Sequence, residues 1–338
     1  MAEKDKPVTP ERIQQMAWGY APTLILEAAV RLGVFDLLDA GPMTAFQVAA
    51  HTGASQRGAR MLLNALTAIE LLAKKGDAYA LTPESATYLV STKPGFAGGL
   101  MRHLSKQLIP HWLHLTEAVQ SGKPPVSVNQ QDTGGEFFRA FVEDLFPLGY
   151  ASAKVLANHL LAKPPAGTYS VLDLAAGSGV WSIALAEKSP QVRVTVVDWP
   201  AVIPVCQKVT TRRGVADRYR YVPGDLLEAD FAAGHQAAAL GHILHSEGAS
   251  RSQALLKKTF TALAPGGVIA IAEMTPNEDR TGPPYPLIFA LNMLVHTDEG
   301  DTFTFGEISG WLRDAGFVNP RQLEVPAPSP LILVDKPK

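Results

Sequence analysis

Three carboxylates stand at the ends of successive apolar runs: Asp173 in VLDLAAGSG, Asp198 in VTVVDWP and Asp225 in YVPGDLL. Between the first two, Gly177 and Gly179 leave backbone N–H groups bare at the start of a helix, where no side chain holds a ligand away. A strand, a small-residue turn and a helix from Val171 to Ala186 make a place for a charged, nucleotide-type cofactor. Asp198 lies 25 residues beyond Asp173, where a second strand end presents a carboxylate to both hydroxyls of a ribose. Taken singly, an aspartate at a strand end is as readily a helix N-cap. Three at successive strand ends point to a site.

The turn also narrows the cofactor. A nicotinamide fingerprint asks for G-x-G-x-x-G. Gly177-Ser178-Gly179-Val180-Trp181-Ser182 lacks the third glycine and brings bulky Trp181 into the helix-packing place. The run from Asp173 through Ala175 and Gly177 to Gly179 is similar to the first motif of class I S-adenosylmethionine-dependent methyltransferases, D/E-x-G-x-G-x-G, with Ala175 for the first glycine. Asp198-Trp199-Pro200 resembles the D-L-P of small-molecule O-methyltransferases, and Gly224-Asp225-Leu226 resembles the G-D-M/L that lies beside the adenine in those enzymes.

These positions need a frame, and the chain supplies an alternating one. From Ser170 the pattern reads VLDLA, helix, VRVTVVD, helix, YRYVPGD, AAALGHIL, helix, APGGVIAIAE, more helix, and two strands around VPAPSP. That order predicts an α/β fold: a Rossmann-like, doubly wound parallel sheet with an antiparallel pair at its end. Residues 11–115 read as mainly helical with one small hairpin. A T-x-x-Q capping box at Thr44 and Gln47 opens a helix that Gly53 stops. A second helix is predicted from about Ser55 to Leu72, with Met61, Leu62, Ala65, Leu66 and Ile69 on one face. Lys75-Gly76-Asp77 then turns into Tyr79-Ala80-Leu81, which completes a winged-helix outline. The domains expected are 1–115 and 116–338, with 116–165 as bridging helices before the LAKPPAGTYS boundary.

Composition excludes several classes. An apolar share of 46% with only 18% charged residues argues against a disordered chain. Thirty basic against 32 acidic residues leave no global pull toward nucleic acid or an anionic membrane. The second helix of the winged outline offers Arg57, Arg60 and Asn64 among apolar or small residues, a poor face for reading DNA. A non-catalytic DNA-binding regulator is therefore the distant alternative to a packing module. The stretch from Leu24 to Leu38, apolar nearly all round, asks for burial in the core or against another chain. The single cysteine, Cys206 in AVIPVCQKV, rules out an intramolecular disulfide and a cysteine-rich zinc site, and no metal is expected. Its place in an apolar helix reads as an inert packed thiol. MAEKDKPVTPER lacks the apolar core of a signal peptide, and no run reaches the roughly 18 apolar residues of a membrane span. A cytoplasmic protein is expected.

Past the fourth strand stands Gly241-His242-Ile243-Leu244-His245-Ser246-Glu247. Here the chain resembles the dimeric O-methyltransferase family of plants and bacteria, of caffeate and hydroxyneurosporene type, which carries K-W-x-x-H-D-W. The resemblance takes in LGVFDLL and YALTPES in front, and APGGVIAIAE and ALNMLVHTDEGDTFTFGEISGWLRDAGF behind. It implies a homodimer formed through the winged-helix domain, S-adenosylmethionine as donor (leaving as S-adenosylhomocysteine), and a small aromatic or enolic hydroxyl as acceptor. It makes His245 the general base and Glu273, 28 residues later, the acid that fixes its tautomer. The cofactor residues it implies are Asp173, Ala175, Gly177, Gly179, Asp198, Trp199, Gly224, Asp225, Leu226 and His242. His242 would pack on the adenine, since Gly241 stands in place of a cofactor-contacting lysine. Tyr150, Asn292, Met293 and His296 would meet the acceptor. Ser246 replaces the family's aspartate and Thr302 its second glutamate, with Glu299 and Asp301 close by in sequence. Those departures keep methylation of carbon or nitrogen on a similar small molecule as the alternative. No nucleic-acid or membrane partner is implied.

Overall fold

A computed structural model describes residues 8–338; the charged MAEKDK stretch lies outside the described residues. The chain divides into two compact units, one ending at Lys106 and the other running from Gln107 to Lys338, ahead of the boundary expected at 115. The segment after Gln107 goes with the second unit because Trp112 donates its indole N–H to Asn292 at 2.9 Å. No helix of the described residues is long and apolar enough to cross a membrane.

The first unit contains α1 (Tyr20–Arg31), β1 (Met43–Thr44), α2 (Ala45–Thr52), α3 (Gln56–Ala68), β2 (Leu72–Lys75) and β3 (Ala78–Leu81). The strands form one small sheet in the order β1-β3-β2. Thr44 and Gln47 make the reciprocal capping box, and Gly53 closes α2 in the left-handed region at φ 70°. Ser55 caps α3 through the Gly58 N–H. α3 ends at Ala68, short of Leu72, because Glu70 turns the chain with φ 63° and Leu72 opens the hairpin instead. Its buried face is Ala59, Leu63 and Leu66, while Met61 is exposed. The apolar stretch from Leu24 breaks at Gly33, whose φ is 69°. Val34, Phe35 and Leu38 beyond the break enter the core, whereas Trp18, Tyr20, Leu24 and Leu32 stay exposed on this chain.

After short helical segments at Ile109–Trp112 and Leu115–Ser121, the second unit has α4 (Gln131–Arg139) and α5 (Phe146–Leu160) and continues as an alternating fold. Its elements are β4 (Tyr169–Leu174), α6 (Val180–Lys188), β5 (Val192–Asp198), α7 (Ile203–Arg212), β6 (Tyr219–Pro223), β7 (His235–Gly241), α8 (Leu244–Ala262) and β8 (Leu263–Ala272). There follow α9 (Pro284–Leu294), α10 (Phe305–Asp314), β9 (Val318–Leu323) and β10 (Leu331–Asp335). The seven strands lie in the order β6-β5-β4-β7-β8-β10-β9. β6, β5, β4, β7 and β8 run parallel, and β10 is antiparallel to both neighbours. Side chains alternate between two cores, as a pleated strand requires. Val171, Val194, Val196, Ala237 and Ala239 pack under α5, α6 and α7. Leu172, Leu174, Ala238, Leu240 and Ile269 face α8 and α10. Burial on both faces explains why these strands read as almost unbroken apolar runs.

Candidate active site

The strand order reverses at β4, which has β5 on one side and β7 on the other, and ligands bind at such a switch point beyond the carboxyl ends of the strands. The register sets that rim: Leu174 pairs with Val197 and Leu240, and Gly241 with Ala272. Asp198, Ala175, His242 and Glu273 are therefore the first residues at or past the sheet's edge.

Asp173 is fully buried one residue below the turn. Ser182 lies close enough to ease its charge, yet neither carboxylate oxygen receives a hydrogen bond of good geometry. Burial, with the charge of Asp198 adding to it, pushes its pKa up to about 7. Asp198 accepts the Gly177 N–H at 2.8 Å on one oxygen and the Trp199 N–H at 2.7 Å on the other. Burial outweighs these bonds and raises its pKa to about 6. Two buried acids at the ends of the adjacent strands β4 and β5, the inner one poorly hydrogen-bonded, suit a cationic ligand. This is the electrostatic fit expected for S-adenosylmethionine, whose amino acid end carries an ammonium.

The turn itself is held by backbone geometry. Gly179 has φ 76°, and a Cβ there would meet the Cys206 sulfur at 2.9 Å. Cys206 is fully buried beneath it, its thiol held protonated by burial. Ala175 sits where the related motif has glycine, at φ 50°. A side chain in the left-handed region costs roughly 1–2 kcal/mol, and glycine's extra unfolded-state entropy returns about 0.5–1 kcal/mol of that. Ala175→Gly is thus expected to raise the melting temperature by about 2 °C. A lower melting temperature would show that the alanine methyl is packed rather than strained.

His245 occupies the first turn of α8 and is buried. Its Nδ1 lies 2.7 Å from Oε2 of Glu273. The other oxygen of Glu273 accepts the Leu244 N–H at 2.7 Å and the His245 N–H at 3.4 Å. Burial opposes ionisation of Glu273, but the adjoining His245, its N–H bonds and His242 hold the carboxyl below its ordinary pKa. An ionised carboxylate at Nδ1 keeps the proton there and leaves Nε2 as the basic atom. Phe289 of α9 meets the ring edge-on, with centroids 5.1 Å apart. His242, His245 and Glu273 bring ligand-type atoms within 4.8 Å, the one grouping of that kind among the described residues. Both Glu273 oxygens are already taken up by the Leu244 N–H, the His245 N–H and the His245 ring.

Trp181 and Gly241 interlock. A Cβ at Gly241 would lie 2.0 Å from the Trp181 indole nitrogen and 2.4 Å from its Cδ1. The missing lysine at 241 and the bulky residue at 181 are therefore one feature: the indole takes the room a side chain would need. Trp181, in the first turn of α6, is buried in the core, 6.4 Å from the His242 ring. His242 follows with φ 61°, its N–H bonded to the Ala272 carbonyl at 2.8 Å, and its ring lies 6.3 Å from His245. Gly241→Ala is expected to cost about 1–3 kcal/mol through overpacking. Adding Trp181→Leu should recover part of that cost. Equal melting curves for Gly241→Ala and the unchanged chain would sink the interlock.

On the acceptor side, α9 places Phe289, Asn292, Met293 and the following His296 on one helical face. Asn292 and Met293 are buried, and His296 bonds the Asn292 carbonyl through Nδ1 at 2.8 Å. The His111 ring lies 4.5 Å from that of His296. Tyr150 is engaged elsewhere: its hydroxyl meets Glu187 and Arg213, both at 2.5 Å, toward the far end of α6. Trp199 packs against Phe138 and closes over Gly134 of α4. Gly224 donates to the Asp198 carbonyl at 2.9 Å, and Leu226 is buried beside Asp225. Thr302 donates to the Pro286 carbonyl, and the backbone carbonyl of Ser246 accepts the Asn129 amide. Trp112 and Phe289 gave no signal in sequence beyond their aromatic character.

A doubly wound sheet with β10 inserted antiparallel, an acid-lined Gly turn at the switch point and a histidine–glutamate pair on the same rim together define a class I S-adenosylmethionine-dependent methyltransferase. Residues 14–91 match the O-methyltransferase dimerisation domain, and residues 112–318 match the O-methyltransferase domain. The chain belongs to this O-methyltransferase family. It is 31% identical to the 3-hydroxy-5-methyl-1-naphthoate 3-O-methyltransferase of Streptomyces sahachiroi, over 94% of this chain and 92% of that protein. It is also 31% identical, over 97% of each chain, to the tetracenomycin polyketide synthesis 8-O-methyl transferase of Streptomyces glaucescens. The crystal structure of human N-acetylserotonin methyltransferase in complex with S-adenosylmethionine superposes with a TM-score of 0.84 at 25% identity, covering 100% of both chains.

Proposed function

We propose that this chain transfers the methyl group of S-adenosylmethionine to a hydroxyl of a small aromatic or enolic acceptor of secondary-metabolite type, with His245 as general base. The observation that carries the reading is the His245–Glu273 pair at 2.7 Å, on the strand-end rim that also holds Asp173 and Asp198. When bound, the cofactor supplies an electrophilic methyl on a sulfonium. Asp173 would answer its ammonium, Asp198 its ribose, and Asp225 its adenine side. Nε2 of His245 takes the acceptor's hydroxyl proton as the oxygen gains the methyl carbon and the carbon–sulfur pair stays on sulfur. The imidazolium so formed is held by Glu273. Phe289, edge-on to His245, and the buried Asn292 and Met293 supply a flat apolar wall with one amide, suited to a planar ring system. The exposed Trp18, Tyr20 and Leu24 of the segment matched to the dimerisation domain support a homodimer that covers them.

The test is methyl transfer from isotopically labelled cofactor to a panel of hydroxynaphthoates and polyketide phenols, with NMR location of the methyl. An aryl methyl ether is the result expected. A methyl on carbon or nitrogen would overturn the hydroxyl reading while leaving the donor intact.

A further inference from the structure

The loop that bears Asp225 is tied to α8 by two cations. Lys258 gathers the carbonyls of Leu226, Leu227 and Ala229 at 3.0, 2.8 and 2.6 Å. Arg251, two turns earlier on the same helix, donates from Nη2 to Asp225 Oδ2 at 2.8 Å and from Nε to Glu247 Oε2 at 2.6 Å. The second oxygen of Asp225 accepts the Leu227 N–H at 2.8 Å, so both oxygens are fixed in direction. Glu247 is buried, with burial raising its pKa against the pull of Arg251.

Arg251 also spans a break. Gly248 leaves the helical region at φ 71°, and a Cβ there would lie 2.6 Å from the Glu299 carbonyl oxygen. The fork of Arg251 therefore joins three pieces: the turn that carries His245 and Glu247, the long part of α8, and the Asp225 loop. The tie borders a cavity of about 470 Å³ that Asp225, Glu247, Asp298 and Glu299 line. Among the described residues lining it, Arg251 is the one cation. Without it, buried Glu247 would lose its cation and Asp225 its fixed aim.

We propose that Arg251 is a positioning residue for the cofactor: anchored by Glu247, it aims the Asp225 carboxylate and so sets donor affinity without taking part in proton transfer. The inference rests on the reading of Asp225 as a cofactor residue. A lysine could supply the charge but not the two-point fork.

The test is calorimetric titration of S-adenosylhomocysteine into Arg251→Met, Asp225→Asn and the double variant, with steady-state kinetics beside it. Arg251→Met is expected to weaken binding about tenfold or more and to raise the cofactor KM in step. Its kcat at saturation should fall by less than about threefold, with an unaltered pH profile, an outcome that general loosening of the fold would not give. The double variant should be no weaker than Asp225→Asn alone. Binding by Arg251→Met within about twofold of the unchanged chain, a loss confined to kcat, or losses that multiply in the double variant would each overturn the proposal. If Arg251→Met does not fold, Glu247→Gln replaces it, with binding about threefold weaker expected and unchanged binding fatal to the idea. An unchanged chain that binds no S-adenosylhomocysteine would instead sink the donor reading itself.

Discussion

Replacing His245 with alanine is expected to lower turnover by about a hundredfold or more while cofactor affinity stays within about threefold of the unchanged chain. A free phenol titrates at about pH 10 and imidazole at about 6.5, so complete proton transfer ahead of methyl transfer is uphill by roughly 5 kcal/mol. The base therefore acts as the methyl moves, and general-base help of that kind is worth about 10²–10⁴-fold. Alignment of the acceptor oxygen behind the methyl contributes more, roughly 7–11 kcal/mol, and it survives the loss of the imidazole. That is why the variant should be slow rather than dead. Glu273→Gln is the sharper probe of orientation. The amide oxygen still accepts the Leu244 N–H, but no charge remains beside Nδ1 to hold its proton. Turnover should fall about tenfold or more with the cofactor KM unchanged. Steady-state rates with labelled cofactor, paired with calorimetric titration of S-adenosylhomocysteine, check both. Near-normal turnover of His245→Ala would remove the base role outright.

The sequence showed the strand ends because burial on both sheet faces writes each strand as an apolar run, so the first polar residue after it marks the rim. Asp173, Asp198 and Asp225 were legible for that reason, and the antiparallel finish was legible from the two short runs around VPAPSP. His245 and Glu273 were legible as a pair only through the family pattern. Their 28-residue separation is closed by the register of β7 and β8. Contacts of that reach explain what stayed hidden. The interlock of Trp181 with Gly241 joins residues 60 positions apart. The left-handed φ of Ala175 leaves no trace in a residue type that usually avoids it. The network around Tyr150 depends on Glu187 and Arg213, from helices whose relative placement the sheet decides. At short range, Glu70 ended α3 early by adopting a backbone conformation that its residue type rarely takes.

Asp173→Asn should separate the cost of an unpartnered buried charge from its use. In the free protein the folded-state pKa of Asp173 is about 7, against about 3.9 for an unfolded aspartate. Between those values the folded state holds a proton that the unfolded chain has lost, so this group's contribution to stability falls as pH rises from about 4 to about 7 and is then flat. Above pH 7 the ionised carboxylate costs the fold roughly 4 kcal/mol, with no solvent to screen it. Asparagine removes that charge but leaves a buried amide short of partners, at about 1–3 kcal/mol. The variant is therefore expected to melt a few degrees higher than the unchanged chain at pH 8, and to lose that advantage at pH 5, where Asp173 is protonated. Cofactor binding should move the other way. Taking one partner from a buried charge pair costs about 2–5 kcal/mol, roughly thirtyfold to several thousandfold in affinity. Asp198, raised to about 6, adds to the same pH dependence. Binding a cationic ligand then favours both ionised carboxylates, so titrations at pH 6 should release protons, seen as an enthalpy that varies with the buffer's own ionisation heat. Melting curves at pH 5 and pH 8, with and without S-adenosylhomocysteine, read both effects. A variant that melts lower at both values, or that binds as tightly as the unchanged chain, would show that Asp173 is a structural group and that the site for the cation lies elsewhere.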